Sequence, residues 1–275
     1  MSKRMMVAIV GTVVGAVPVV AATTDHGAGL AGVRFDHSLW DAILQKCVNE
    51  GGRVNYAEIK ASEAFPKYLA KLKATNASDL VDDQDRLAFW INAYNALTIQ
   101  GVLQTLPADE SQWPGYRITD QKVHGKSLWK GMRFDVGGGE RTLDGIEHGI
   151  LRKQDGLRDP RIHVALVCAA RGCPPLWNHA YTGAAVKDQL ATAMTRFLAN
   201  PTQCTIDVHR RLIRISKVFR WYGSDFVSKK FSPHAKSIAK FIAEYVSDDD
   251  TAAALRSRSW SIKYFSYDWR LNIQQ

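Results

Sequence analysis

The longest apolar stretch in the interior of the chain lies between residues 86 and 106, where hydrophobic side chains occupy most positions. Asp82, Asp83 and Asp85 stand just before and at its start, and carboxylates there interact favourably with the positive end of a helix dipole. A helix that is apolar on nearly all sides is buried. The pattern therefore predicts a central helix over 82–106.

Two amides interrupt this apolar helix. Asn92 and Asn95 are three residues apart and share a face. Buried amides need hydrogen-bond partners. Two interpretations follow: the amides bond to neighbouring backbone, or they line a site.

The remaining pattern predicts shorter elements, with helices where apolar residues recur at helical spacing and strands where β-prone residues cluster or alternate. An aromatic cluster at 219–226 is expected in the core. No repeat, linker or regular βαβ rhythm occurs within 35–272, which favours an α+β fold: one domain with a small, mostly antiparallel sheet packed against several helices around the central helix. Helices are expected near 35–50, 65–72, 144–152, 184–198 and 233–246, and strands near 134–136, 141–143, 162–167, 204–208, 212–215 and 260–265.

The N-terminus has the three parts of a secretory signal. Lys3 and Arg4 precede an apolar run over 5–20, and the small residues at 20–22 form a cleavage site. The run is shorter than the ~20 residues that cross a bilayer. We expect a signal peptide at 1–22, a flexible leader at 23–34 and a globular domain at 35–272. The chain would then be periplasmic or secreted, with no stable membrane span after cleavage; an uncleaved anchor is the alternative.

Composition excludes some classes of protein. Of 275 residues, 46% are hydrophobic, so the chain can bury a core and is not disordered as a whole. Losing Lys3 and Arg4 lowers the formal charge from +9 to +7, and the remaining cations are scattered. No nucleic-acid-binding motif is present, so we expect no nucleic acid partner. The partner is unknown; a weakly attracted envelope peptide or polymer fits the charge.

The stretch 159–176 carries most of the candidate chemistry. A β-prone run leads into a loop that holds Cys168, Arg171 and Cys173. Four interpretations of the two cysteines stay open: a disulfide closing the loop, a catalytic thiol, a reversible redox pair, or unpaired thiols. The pairing of Cys47 and Cys204 is equally open.

A nucleophilic cysteine needs a base held in place by a third group. Glu147 lies on the apolar stripe of the helix predicted at 144–152, where a carboxylate must be paired or protonated, and His148 lies on the other side between charged residues. On a regular strand His163 and Cys168 would point to opposite faces, which favours Cys173 as the nucleophile. Neither a complete zinc pattern nor a phosphate-binding loop is present, so we expect no metal and no cofactor.

Four separated motifs resemble one known family. They are FWINAYNAL at 89–97, IEHGILR at 146–152, DPRIH at 159–163 running to Cys168 and the CPPL at 173–176, and YDWRLN at 267–272. Together they resemble domain-of-unknown-function family 547, an uncharacterised family with bacterial and plant members. The resemblance spans roughly 39–272 and implies a fold family but no reaction. It implies that the motif positions to test are Asn92, Tyr94, Asn95, Glu147, His148, His163, Cys168 and Cys173.

Two functional hypotheses follow. The first is a thiol-dependent acyl-transfer hydrolase, similar to a peptidase or amidase, that acts on an envelope amide or peptide. Its catalytic residues would be Cys173 or Cys168, His163 or His148 as base, and Glu147 to orient the base; Asn92, Tyr94, Asn95 and Arg171 would bind substrate. The second is a non-catalytic envelope binding or scaffold domain in which Cys168 and Cys173 form a disulfide.

Overall fold

A computed structural model of the protein describes residues 32–274. The predicted signal peptide at 1–22, and the predicted leader up to residue 31, lie outside these residues. The α-helices within 32–274 are α1 (Ser38–Cys47), α2 (Tyr56–Ala61), α3 (Ala64–Ala74), α4 (Asp83–Thr105), α5 (Leu128–Gly131), α6 (Val186–Ala199), α7 (Val218–Trp221), α8 (Gly223–Val227), α9 (Ile238–Ile242) and α10 (Asp249–Ser257). None of these helices combines the length and hydrophobicity that a bilayer crossing requires.

The strands form three small sheets within the described residues. They are β1 (Lys122–Val123) with β2 (Lys126–Ser127), β3 (Phe134–Val136) with β4 (Gly139–Arg141), and β5 (Cys204–Asp207), β6 (Leu212–Ile215) and β7 (Ser261–Tyr264) in that order. All pairs are antiparallel except β6 with β7, which is parallel. The predicted α+β class is confirmed, although the strands are divided among three sheets.

The strand predicted at 162–167 is wrong. Residues Pro160–Val164 form a 3-10 helix that Asp159 caps by accepting a hydrogen bond from the Arg161 amide. Proline at the first helical position fixes a helical φ and has no amide hydrogen that needs a partner. The backbone that follows is paired with a side chain of α4 rather than with a neighbouring strand.

The helix predicted from residue 233 begins later, at Ile238. Ser237 caps it, because its hydroxyl accepts a hydrogen bond from the Lys240 amide. Ser232 instead donates its hydroxyl to the carbonyl of Asp225. Ser232 and Pro233, just before and at the predicted start, therefore belong to the preceding loop.

Helix α4 is the buried centre of the fold, as predicted. Asp82 caps its N-terminus by accepting a 2.8 Å hydrogen bond from the Asp85 amide. Its buried residues include every position from Leu87 to Ile99, and they belong to a large apolar cluster that also takes in α1 to α3. A second apolar cluster lies among the elements from α6 to α10.

The two amides of α4 bond to backbone, which confirms the first interpretation. Asn92 donates to the carbonyl of Tyr181 at 2.7 Å and accepts from the Tyr181 amide at 3.0 Å. Asn95 donates to the carbonyl of Ala165 and accepts from the amide of Val167, both at 2.9 Å. Each side-chain amide thus bonds to one backbone carbonyl and one backbone amide of a loop, as a neighbouring β-strand would.

The helix predicted at 144–152 is present, but residues Gly145–Leu151 wind as a π-helix. The hydrogen bonds of a π-helix span one residue more than those of an α-helix, and such turns occur frequently at functional sites. This turn carries Glu147 inward and leaves His148 exposed.

We predict that Asn95→Ala destabilises the protein by about 2–4 kcal/mol, since it leaves two buried backbone groups without partners. Urea unfolding followed by circular dichroism measures the loss. Asn178→Ala is the matched control, because the half-buried Asn178 makes no side-chain hydrogen bond among residues 32–274. Equal stability of the two variants would contradict the proposed role of Asn95.

We also predict that stability falls as the pH is lowered below about 6.5. Burial lowers the pKa of His37 to about 3, and the neutral ring contacts the Tyr68 hydroxyl at 2.8 Å. Between these two pH values the unfolded chain binds a proton that the folded chain excludes, so the free energy of unfolding decreases by up to about 1.4 kcal/mol per pH unit. Unfolding measured at pH 7, 6 and 5 should show this slope, reduced in His37→Gln and unchanged in the exposed-site control His209→Gln.

Candidate functional site

A cavity of about 410 Å³ lies between the π-helix, α4, the loop at 168–174 and the segments near 221 and 267. Such a volume is in the range of small-molecule sites. It is lined by six of the nine predicted site residues: Tyr94, Glu147, His148, His163, Cys168 and Cys173. The motifs that are far apart in the sequence therefore meet at one place.

The centre of the site is a buried imidazole. His163 places Nε2 at 2.9 Å from Oδ2 of Asp225, and its ring stacks on Tyr222 with centroids 3.8 Å apart. Burial lowers the pKa of His163, and the nearby carboxylates do not reverse this shift. Because a carboxylate only accepts hydrogen bonds, the Asp225 contact assigns the proton of the neutral ring to Nε2.

Asp225 is also paired with an arginine. Arg152 donates from Nε to Oδ2 at 2.7 Å and from Nη2 to Oδ1 at 3.0 Å, which is a two-pronged contact. Burial disfavours the charged form of Asp225, but the hydrogen bonds from His163 and Arg152 outweigh it and hold the pKa of Asp225 well below its usual range. The carboxylate is thus ionised and neutralised by the guanidinium.

Glu147 faces the cavity from the other side of the imidazole. It is 8% exposed, and the Tyr94 hydroxyl donates to its Oε2 at 3.3 Å. Burial raises the pKa of Tyr94 well above its ordinary value, so the hydroxyl keeps its proton. The Oε1 atom lies 4.0 Å from Nδ1 of His163, and no lysine or arginine within residues 32–274 forms an ion pair with Glu147.

His148 lies on the rim of the cavity. Arg152 donates from Nη1 to His148 Nδ1 at 2.9 Å, and Nε2 is 3.7 Å from Oδ1 of Asp144. This agrees with the predicted charged face.

The sulfurs of Cys168 and Cys173 are joined, which agrees with the first of the four interpretations, a disulfide that closes the loop. The Cys168 amide donates to Cys173 Sγ at 3.0 Å, and the Tyr267 hydroxyl lies 3.1 Å from Cys173 Sγ and 3.3 Å from Cys168 Sγ. Both nitrogens of His163 face carboxylates rather than sulfur. The thiol-dependent hydrolase therefore stays a prediction, one that requires the reduced form of the chain.

Three predicted site residues lie outside the cavity lining. Asn92 and Asn95 hold backbone, as described above, and Arg171 donates from Nε to the carbonyl of Leu271 at 3.2 Å. All three are engaged in holding loops in place.

Several lining residues were not expected from the sequence. The sequence predicts that the aromatic cluster at 219–226 lies in the core. This prediction is correct for Phe219 and Phe226, which are buried, but Trp221 and Tyr222 line the cavity. Asp225, which contacts His163 but is outside the cavity lining, is not among the predicted site residues, although an acid between aromatic residues is a signal that could have identified it. The other unexpected aromatic lining residues are Trp129, Tyr267 and Trp269.

The fold and the site define an α+β protein with a buried imidazole between two carboxylates. Residues 78–198 match the model of a family described as "Protein of unknown function, DUF547", so the resemblance is confirmed over this range. Comparisons with curated proteins and with solved structures found no match. The matched range contains Glu147, His163 and both cysteines of the disulfide, whereas Asp225 and Tyr267 lie beyond it. The family description assigns no activity.

We predict that Asp225→Asn lowers the free energy of unfolding by about 3 kcal/mol, because it leaves Arg152 without its buried counter-ion. Chemical denaturation at pH 7 measures the change. Glu63→Gln makes the same chemical substitution in an ion pair whose carboxylate is 92% exposed, and it should cost less than about 1 kcal/mol. Similar losses in both variants would show that Asp225 has no special structural role.

Proposed function

We propose that the protein is an exported binding protein of the cell envelope whose cavity accepts a protonated amine carried on an apolar or ring-shaped body. The proposed export rests on the signal pattern of residues 1–22. The proposed binding rests on one observation: two acceptors of the cavity lining, Oε1 of Glu147 and Nδ1 of His163, lie 4.0 Å apart, and no lysine or arginine within residues 32–274 pairs with Glu147.

Two facing acceptors repel each other and lose their hydration on burial, which is unfavourable unless a donor satisfies both. Asp225 holds the ring proton on Nε2, so His163 itself offers no donor on the Nδ1 side. An ammonium group has three donors and can reach both atoms from the cavity. It would also supply the positive charge that Glu147 lacks.

Two cations near the cavity are already engaged. Arg152 forms its two-pronged contact with Asp225, and Lys130 lies 3.7 Å from Asp144 with its side chain 63% exposed. Neither group reaches Glu147 within salt-bridge distance. A cationic ligand would therefore supply the counter-ion of the Glu147 carboxylate.

The aromatic side chains of Trp221, Tyr267 and Trp269, which line the cavity, suit such a ligand. Trp221 is 44% exposed and packs at 5.7 Å on Trp269 and at 4.7 Å on Tyr267. Aromatic faces attract cations and cover the apolar body that carries them. An exposed aromatic surface beside a buried carboxylate is a recurring arrangement in amine recognition.

The test is calorimetric titration with a glucosamine tetramer, with the matched N-acetylglucosamine tetramer, and with cadaverine. The first and third carry protonated amines, and comparing them separates a sugar source of the amine from an alkyl source. We expect binding by at least one amine probe, and a loss of more than about tenfold in affinity in Glu147→Gln, which corresponds to about 1.4 kcal/mol.

Glu140→Gln is the matched control, because this glutamate is exposed, pairs with Arg133 and lies outside the cavity. Trp221→Ala should weaken amine binding by about threefold or more. Absence of binding by both amine probes would overturn the proposal, as would tighter binding of the acetylated tetramer than of its amine counterpart.

A further inference from the structure

The Cys168–Cys173 disulfide forms part of the cavity wall rather than lying inside the core. Cys168 is partly exposed, whereas Cys173 is 5% exposed. Both residues line the cavity, and Cys168 is the more accessible of the two to a reagent that enters it. This is the geometry that directs attack to one side of a disulfide.

The loop that the disulfide closes has its own support. The Arg171 amide donates to the carbonyl of Arg270 at 2.7 Å, the Gly172 amide to that of Asp268 at 2.8 Å, and the Asn272 amide to that of Ala169 at 2.9 Å. These bonds do not involve sulfur. The loop can therefore keep its place when the disulfide opens, which a reversible reaction requires.

The two sulfurs differ in their hydrogen bonding. Cys173 Sγ accepts from the Cys168 amide at 3.0 Å and lies 3.1 Å from the Tyr267 hydroxyl, whereas Cys168 Sγ has the same hydroxyl at 3.3 Å. A fixed amide donor stabilises negative charge on sulfur. Burial raises the pKa of Tyr267, so its hydroxyl stays protonated and can donate as well.

The other two cysteines have the opposite environment. Cys47 and Cys204 are buried and unpaired, and burial raises their pKa values to about 11 and about 12. Thiols of this kind are inert because the thiolate is the reactive form. Reactivity is therefore concentrated at the pair in the cavity wall.

We propose that Cys168 and Cys173 are a redox-active pair that exchanges electrons with a dithiol. A thiolate of the dithiol attacks Sγ of Cys168, the Cys168–Cys173 bond breaks, and its electron pair moves to Sγ of Cys173. The second thiol of the partner, as its thiolate, then attacks the partner sulfur of the mixed disulfide and releases Cys168 as a thiolate. The partner leaves as a disulfide, two electrons pass to the chain, and the reverse sequence would oxidise the pair again.

Cys173 leaves as a thiolate because the Cys168 amide donates to its sulfur and the Tyr267 hydroxyl, 3.1 Å away, can donate to it as well. A good leaving thiolate accelerates exchange. The direction of the exchange follows: the thiolate attacks the sulfur of Cys168, and the sulfur of Cys173 is released.

The first test uses reduced glutathione, a monothiol with no second thiol of its own to resolve the mixed disulfide, so that a short reaction can be trapped. The native protein is treated briefly, quenched with acid and digested with trypsin, which cuts after Arg171 and separates the two cysteines onto different peptides. We expect glutathione on the Cys168 peptide. Glutathione on Cys173 or equally on both peptides would overturn the direction of the exchange, and reduction that occurs only after unfolding in urea would overturn the redox role.

The second test follows the rate of reduction by dithiothreitol. Tyr267→Phe should slow it by about fivefold or more, because the leaving thiolate loses a donor, while the melting temperature changes little. Tyr264→Phe on β7 is the matched control, since Tyr264 makes no hydrogen bond through its hydroxyl within the described part of the chain and lies outside the cavity lining. Equal reduction rates in the two variants would contradict the assigned role of Tyr267.

Discussion

One carboxylate connects the two halves of this structure. Asp225 lies in α8 among the second apolar cluster, and it binds Arg152, which directly follows the π-helix beside the first cluster. Its other contact is His163, which also stacks on Tyr222. Buried charge is tolerated only where it is paired and hydrogen-bonded. Pairing Asp225 with these two residues therefore fixes how the clusters meet, and with them the cavity.

The same pairing determines the polarity of the cavity. Because Arg152 is held by Asp225, its guanidinium is not shared with Glu147. Because His163 gives its proton to Asp225, the ring turns an acceptor toward Glu147. A carboxylate with a hydroxyl donor on one oxygen and an acceptor near the other is thus created by contacts made elsewhere. The unusual electrostatics of the cavity follow from the structural ion pair and need no separate explanation.

Local patterns in the sequence were sufficient for much of the fold. Helix α4 and the strands β3, β5 and β6 follow from spacing and caps within a few residues, and all were predicted; β4 covers Gly139–Arg141 and so begins two residues before the predicted strand at 141–143. The stretch at 162–167 was not, because its backbone bonds to Asn95, some 70 residues earlier in the chain. β-propensity reflects how well a residue fits on a sheet. Here the backbone is held instead by a long-range hydrogen bond, which the sequence near residues 162–167 does not reveal.

In the site, too, some residues could be predicted from the nearby sequence, whereas others depend on contacts with distant residues. Glu147, His163 and the two cysteines could be named because each stands out against its immediate neighbours, and Tyr94 because it belongs to a motif that resembles the family. Asp225 acts through partners 62 and 73 residues away, and so its importance depends on the folded structure.

The segment at 267–272 illustrates why the separated motifs form one site. It brings Tyr267 to the disulfide while its backbone binds the loop that carries Cys168 and Cys173. Its last residue, Asn272, accepts a 2.6 Å hydrogen bond from Tyr56 of α2 and so ties the segment to the first apolar cluster. A side chain that must sit within hydrogen-bond distance of sulfur needs a rigid backbone on both sides. Structural and chemical requirements therefore coincide in this segment, and a sequence motif at the end of the chain reflects both.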